Sequence, residues 1–544
     1  MSKYKKAVLI IICCISVQSL AQPGFNRELW LQKAEDLKPE LIHQTRLPQQ
    51  IIEVDTDPQA FHGYKITRSD PISALSAKTF SKGDQLILDY GDHLVGRLSF
   101  DIKTNGPAAD APTRLILKFG EILPEVVEPY DPYQGQLSRA WLQDEVINID
   151  TIPTTIKLPR RYAFRYLSVE VIATSPVYNI ELSGFAVDQV SAVQMQDLVS
   201  LPSGVSTDIK NIDRVSNRTL QDCMQTVYED GPKRDRRLWV GDLRLQALTN
   251  YQTFKDLNLV KRSIYLLAGV ADETGRVPGC VFEVPYPHRQ DNFPLDYSLL
   301  FNTTIYDYVQ YTGDFSLARE LWPVMKKQVE LARPYLENGI FKEPDQKDWW
   351  IFVDWQPGLD KQVAMQGIMI YTFRHTYLLA QEMGVANQVD FIPDLIDQMT
   401  KMAIKEFYDS EAHLFRSGPD RQVSIASQAW MILSEVVNQK RGARIMKNVL
   451  GRKDVINPAA PYLYHYQLEA MLTSGMSAEA KSLLLNYWGS MINDGADTFW
   501  EVYDPQNPDF SPYNSVLVNS YCHAWSCTPS YFIRKYPEVF QVEE

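Results

Sequence analysis

Near Ser200 the spacing of apolar residues changes period, and no single layer of one element type accommodates both halves of the chain. From about Ile51 to Val190, runs such as Gln85–Tyr90 and Arg97–Ile102 alternate apolar with polar side chains, and Arg114–Phe119 and Arg165–Ile172 continue the pattern. Period-two alternation between turn-forming breaks predicts short half-buried strands, hence a β-sandwich. Beyond Ser200, nine segments carry apolar residues every three or four positions: 205–224, 243–254, 295–312, 317–336, 363–383, 392–407, 426–438, 463–474 and 478–491. Amphipathic helices in such succession predict a closed ring of helix pairs. A helical solenoid is the competing layout, and the lack of a fixed-period repeat argues against it. The expected division is 22–198 for the sandwich, with an N-terminal extension, and 199–544 for the helical part.

The N-terminus runs from Lys3, Lys5 and Lys6 through an apolar stretch at 7–17 to Ser19-Leu20-Ala21. That order predicts a signal peptide over residues 1–21, a periplasmic or secreted protein, and no membrane partner after cleavage. Four cysteines follow it, Cys223, Cys280, Cys522 and Cys527, without zinc-site spacing; buried free thiols are expected, with a Cys522–Cys527 bridge as the alternative. A formal net charge of -13 argues against nucleic acid as a partner. With eight His and neither paired metal-ligand spacing nor a glycine-rich phosphate loop, neither a metal nor another cofactor is expected.

The chemistry concentrates in loops. Asp230-Gly231-Pro232-Lys233-Arg234-Asp235-Arg236-Arg237-Leu238-Trp239-Val240-Gly241-Asp242 gathers three carboxylates, four cations and a Trp around helix-breaking residues. The stretches 348–355 and 495–504 combine aromatic rings with acids. Flat rings lie against the C–H faces of a sugar, and carboxylates accept from its hydroxyls. Glycoside hydrolysis requires one carboxyl to protonate the leaving oxygen and another to activate water or attack. Asp235 is the acid candidate, unless it only pairs with its flanking arginines, and Glu501 faces it from a distant loop. Asp242 stands just before a helical segment, where it suits an N-cap. Asp230 precedes Gly-Pro and suits a turn, and His523 sits in an apolar stretch where a structural His is common. Arg234, Trp239, Asp354, Trp355 and Trp500 complete the substrate-binding candidates.

Together, Leu88-Asp89-Tyr90-Gly91, Phe119-Gly120-Glu121, the 160–167 strand, the acidic loop, Thr498-Phe499-Trp500-Glu501 and Cys522-His523-Ala524-Trp525 carry a resemblance. From about Gln85 onward the chain resembles the α-L-rhamnosidases of glycoside hydrolase family 78, in their short bacterial form. The resemblance implies a β-sandwich followed by an (α/α)6 toroid, and inverting, exo-acting hydrolysis of terminal α-L-rhamnosyl residues. It implies Asp235 as general acid and Glu501 as base, Asp230 and Asp242 on the sugar hydroxyls, Trp355 as a stacking ring and His523 as a sugar contact. The acid and base would then stand about 6.5–9.5 Å apart with water between them. Two departures stand out. Asp235 occupies a position where the family usually has Glu, and no terminal β-domain follows the last helices, so substrate range is expected to differ.

The expected partner is a rhamnoside or rhamnose-bearing oligosaccharide of plant or algal origin. Lys233, Arg236 and Arg237 add the expectation of a uronate- or sulfate-bearing, ulvan-like substrate. Alternatives are a uronate-directed lyase or unsaturated glucuronyl hydrolase on the same toroid, and a glycan-binding protein without catalysis. The oligomeric state is left open.

Overall fold

The computed structural model describes residues 25–201, 203–343 and 349–541, so the expected signal peptide lies outside the described residues. The alternating half of the sequence forms nine antiparallel strands: β1 (Ile42–Arg46), β2 (Gln50–Thr56), β3 (Tyr64–Pro71), β4 (Gln85–Asn105), β5 (Thr113–Gly120), β6 (Asp144–Ile149), β7 (Thr154–Lys157), β8 (Tyr162–Ala173) and β9 (Asn179–Ser191). β4 joins the two layers. Its first part pairs with β8, Leu88 opposite Leu167, and its second with β9, Ile102 opposite Leu182. The two alternating runs at 85–90 and 97–102 are therefore one strand. A register shift between Asp89 and Leu94, with Gly91 at φ 84°, bends it without a turn. Leu88, Leu98, Phe100, Leu117 and Leu167 fill the space between the layers, completing a sandwich.

Among the described residues, twelve longer helices form the second half, followed by one turn of helix at Pro537–Phe540: α1 (Thr207–Cys223), α2 (Val240–Gln252), α3 (Leu257–Gly269), α4 (Leu295–Thr312), α5 (Ser316–Ala332), α6 (Gln362–Glu382), α7 (Ile392–Phe407), α8 (Ile425–Leu433), α9 (Gln439–Leu450), α10 (Pro461–Thr473), α11 (Ser477–Asn493) and α12 (Pro529–Lys535). The even-numbered helices pack in sequence, α2 on α4, α4 on α6, α6 on α8 and α8 on α10, and α12 closes the ring against α1 and α2. Every residue of α8 is buried, as suits an inner helix covered on both sides. In α7, by contrast, burial falls on Ile392, Ile396, Met399, Ala403 and Phe407, the single stripe of an outer helix. The result is the expected toroid of six helix pairs.

Three of the helices, α3, α9 and α12, were not expected. α9 buries Gly442, Ile445, Met446 and Val449, the i, i+3, i+4, i+7 stripe of an amphipathic outer helix, so its period is present in the sequence. α3 carries apolar residues around most of its circumference, and its clearest local signal is the cap: Asp256 accepts from the backbone N–H groups of Asn258 and Leu259.

Candidate active site

The acidic loop connects α1 to α2 and is shaped by its own backbone. The N–H of Asp230 donates to the carbonyl of Arg237, and Asp230 Oδ1 accepts from the Arg237 N–H at 3.0 Å. Between these ends, Asp235 and Arg236 adopt φ values of 65° and 52°, a left-handed pair that non-glycine residues take only where surrounding contacts compensate. The turn sends Arg234 and Asp235 into a cavity, while Arg236 is directed away to the Arg161 carbonyl at 3.0 Å. Gly231 lies so close to the 520–523 segment that a Cβ there would stand 2.4 Å from Ser520 Oγ. Only a residue without a side chain lets the loop dock there. Gly241 does the same for Tyr297, whose ring would come within 2.4 Å of an added Cβ.

The cavity has a volume of about 310 Å³, and Asp230, Arg234, Asp235, Trp239, Asp242, Trp355, Glu501 and His523 all line it. Glu501 forms a buried ion pair with Arg234, accepts from the Tyr513 hydroxyl, and receives the Ser520 N–H at 3.3 Å. Burial by itself would raise its pKa, but Arg234, His523 and the Tyr513 hydrogen bond outweigh this and hold the carboxyl below the ordinary glutamate value. Arg234 also stands 3.5 Å from Asp235 and Arg237 3.6 Å from it, separations longer than a direct hydrogen bond. Asp230 behaves oppositely. Burial, then the charges of Asp235 and Asp242, drive its pKa well above the usual aspartate value. Asp242 is raised as well, by burial and Glu501 against the opposing pull of His523.

Several polar atoms in this cavity lack a hydrogen-bond partner among the described residues: Asp242 Oδ1, both ring nitrogens of His523 and Trp355 Nε1. His523 Nε2 is 3.3 Å from Asp242 Oδ1 but not aligned for a hydrogen bond. Buried polar groups are normally satisfied, so these atoms are open to hydrogen bonds from solvent or from a ligand in the cavity.

The sandwich anchors the loop. Lys233 is buried between Glu121, at 3.0 Å, and Glu125. Glu121 also accepts from the Tyr521 N–H at 2.7 Å and from His93 Nε2 at 3.1 Å, while His93 Nδ1 donates to Asp222 at 2.8 Å. This network ties β4 and β5 to α1, to the acidic loop and to the segment before His523.

Comparison with known proteins decides the family. Residues 48–189 match the glycosyl hydrolase family 78 alpha-rhamnosidase N-terminal domain, and residues 204–536 match the bacterial alpha-L-rhamnosidase six-hairpin glycosidase domain. The chain belongs to the bacterial α-L-rhamnosidases of glycoside hydrolase family 78. A rhamnosidase from Klebsiella oxytoca, solved with rhamnose bound, is 42% identical with a TM-score of 0.90, over 94% of this chain and 99% of that one. The fold is shared with a family 78 rhamnosidase of Bacillus sp. GL1, at 20% identity and a TM-score of 0.72, covering 88% of this chain and 50% of that one. An α-L-rhamnosidase from Streptomyces avermitilis complexed with L-rhamnose shares it too, at 15% identity and a TM-score of 0.62, over 91% of this chain and 44% of that one. No curated protein matches the sequence.

Within this family 78 glycosidase, two of the candidate residues stand apart from the cavity lining. Asp354 is buried where it accepts the N–H groups of Ala459 and Ala460 at 2.8 and 3.1 Å, and burial pushes its carboxyl up to about 7 against those bonds. It fixes the approach to α10. Trp500 turns its ring to Phe61, Tyr503 and Tyr521, behind the wall that its neighbour Glu501 helps form. Asp242 is not an N-cap: α2 begins at Val240, and the carboxylate lies in its first turn, where the helix dipole favours a negative charge. Lys233 and Arg236 are taken up by the sandwich network and by Arg161, which leaves Arg237 as the member of that cationic trio lining the cavity.

Other lining residues were not anticipated. Leu137 and Trp141 come from the sandwich, on a segment held where the Gln136 N–H donates to the Tyr513 carbonyl at 2.8 Å. Tyr513 lies under the Arg234 guanidinium, 4.6 Å from ring centre to Cζ. Local sequence carries no signal for these, since each depends on a distant segment. The four described cysteines are buried and free; Cys522 Sγ lies 3.9 Å from Cys223 Sγ, and Cys527 Sγ is directed to Thr249. His93, Asp222 and Cys522 bring potential metal-ligand atoms within 4.8 Å of one another. With both imidazole nitrogens donating to carboxylates, however, His93 offers no lone pair to a cation.

Proposed function

We propose that this protein is an inverting, exo-acting α-L-rhamnosidase in which Asp235 protonates the departing glycosidic oxygen and Glu501 activates the attacking water. The observation that carries the reading is the environment of Glu501: paired to Arg234 and held below its ordinary pKa, it is ionised at neutral pH while sharing one cavity with Asp235. A general base must be deprotonated before the reaction begins. Asp230, Asp242, His523 and Trp355 offer donors and acceptors to the sugar hydroxyls, and Trp239 and Trp355 offer ring faces. At about 310 Å³ the cavity is near the lower end of ligand pockets, about 300–1,000 Å³, which suits one terminal sugar better than an extended chain.

The substrates in this reading are plant- or algal-derived oligosaccharides ending in α-L-rhamnose. Preference for a uronate or sulfate next to the rhamnose rests on Arg237 alone. Export of the enzyme rests on the sequence of residues 1–21, and N-terminal sequencing of the mature protein should begin at Gln22.

Proton NMR of an aryl α-L-rhamnoside during turnover tests the mechanism. The first sugar formed should be β-L-rhamnose, and α-L-rhamnose as the initial product would rule out inversion. Turnover of neutral and uronate-bearing rhamnosides side by side tests the charge preference, which equal kcat/KM values would remove.

A further inference from the structure

The acidic loop continues into β10 (Leu238–Trp239), which pairs with β11 (Cys280–Phe282), and β11 turns back through a hairpin to β12 (His288–Arg289). Both ends of the hairpin return to the cavity. Trp239 lies opposite Cys280 in the pairing, and the Gly279 N–H donates to the carbonyl of Asn292, another lining residue, at 2.8 Å. The tip leaves it. Val284 and Tyr286 are 76% and 67% exposed, the two highest values among the large apolar residues exposed on the described surface.

A line of ring contacts joins these two ends. The Arg237 guanidinium lies over Phe282 at 4.2 Å, Phe282 stacks with His288 at 5.0 Å and 19°, and His288 meets Tyr286 at 5.4 Å. His288 Nδ1 donates to the Tyr286 carbonyl at 2.7 Å, which fixes the imidazole against the tip. The last pair is tilted at 52°, and Tyr286 at its end, 67% exposed, keeps its ring open to a partner ring. The direction of the line follows from the chemistry. The leaving oxygen departs on the side of the proton donor, and Arg237, the first member of the line, stands 3.6 Å from Asp235.

We propose that the hairpin from Cys280 to Arg289 is a leaving-group subsite, in which Tyr286, backed by His288, stacks on a ring of the group attached to rhamnose. The ligand class is a flat-faced ring one or two units beyond the scissile bond, supplied either by a second sugar or by an aromatic aglycone. The inference rests on Asp235 being the proton donor, because that residue sets the side from which the leaving group departs.

The test compares wild type with Tyr286→Ala, His288→Ala and Tyr286→Trp on three substrates: methyl α-L-rhamnoside, a rhamnosyl-glucose disaccharide, and a flavonoid glycoside ending in rhamnose. For the two alanine variants, kcat/KM on a ring-bearing substrate, taken relative to the methyl rhamnoside, should fall about three- to tenfold through KM, and Tyr286→Trp should restore it. Whichever ring-bearing substrate loses more identifies the source of the ring. Unchanged ratios with an active wild type would overturn the subsite alone. A shift in the sedimentation coefficient of Tyr286→Ala would also overturn it, by making the tip a contact between copies of the chain. A wild type that cleaves none of the three would instead remove the rhamnosidase reading itself.

Discussion

Arg234 and Glu501 form a fully buried ion pair although 267 positions separate them in the chain. The pair makes the ionisation of Glu501 a property of the acidic loop rather than of its own segment. Arg234→Gln removes the charge that opposes burial, so the pKa of Glu501 rises. A general base works only when ionised, so with Glu501 in the proposed role activity is lost as pH falls through that pKa. In the wild type the acid limb of kcat/KM due to Glu501 should therefore lie below the ordinary glutamate range, and in Arg234→Gln it should move up by about one unit or more. The linked stability has the same sign: the depressed Glu501 pKa contributes above its unfolded value and is lost as pH falls through the folded one. Rate profiles from pH 3 to 8 check the first statement. Denaturant unfolding of wild type and Glu501→Gln from pH 7 down to pH 3 checks the second.

Asp235→Asn and Glu501→Gln should separate according to leaving group. Loss of an acid costs about 10²–10⁴ in rate, chiefly where the departing oxygen is poorly acidic. Asp235→Asn should thus be far more damaging on a rhamnosyl disaccharide than on a nitrophenyl rhamnoside. Glu501→Gln should be severe on both. Steady-state kinetics on the two substrates is sufficient, and equal losses for Asp235→Asn would place the proton donor elsewhere.

A methyl group at Gly231 would collide with Ser520 and approach the Cys522 carbonyl at 3.2 Å, a backbone atom that cannot move alone. Gly231→Ala should therefore destabilise the fold by about 1–3 kcal/mol and lower kcat by displacing Asp235 relative to Glu501. Thermal unfolding and single-turnover rates check the two effects. Gly451→Ala is the matched control, since its added Cβ would meet only ordinary contacts, the closest at 3.5 Å.

His93 joins the two domains as a buried imidazolium. Burial alone would lower its pKa, but the Cys522 sulfur, Asp222 and Glu121 around it raise it well above the ordinary value. Its contribution is fully present below the unfolded histidine pKa and disappears as pH rises through the folded one, so stability from this site should fail on the alkaline side. His93→Ala leaves Asp222 and Glu121 without their shared cation and should cost about 3–5 kcal/mol at pH 7. Chemical denaturation from pH 6 to 10 measures both the loss and its pH window. A wild type whose stability does not fall toward alkaline pH relative to His93→Ala would contradict the charged state.

The order of domains, the helical ring and the loops containing Asp235 and Glu501 were legible in the sequence, because period and turn chemistry are local properties written along a few consecutive residues. The family resemblance then distinguished among acids whose spacing alone left them ambiguous. Asp242 shows the limit of spacing: it sits where a cap would sit, yet the helix begins two residues earlier and the carboxylate faces the cavity. Trp500 and Asp354 stand beside cavity-lining residues and nevertheless turn away from the cavity. Which side a loop residue takes is decided by partners far along the chain, such as Phe61 for Trp500 and Ala459 for Asp354. The cations divide in the same way: Lys233 goes to the sandwich, Arg234 to Glu501 and Arg236 to Arg161, although the three are nearly adjacent. The sequence by itself determined which elements form and which loops carry the acids. Only tertiary packing decided which of those acids converge, and with what charge, because burial and ion pairing are set by the distances between segments that the chain's local order does not encode.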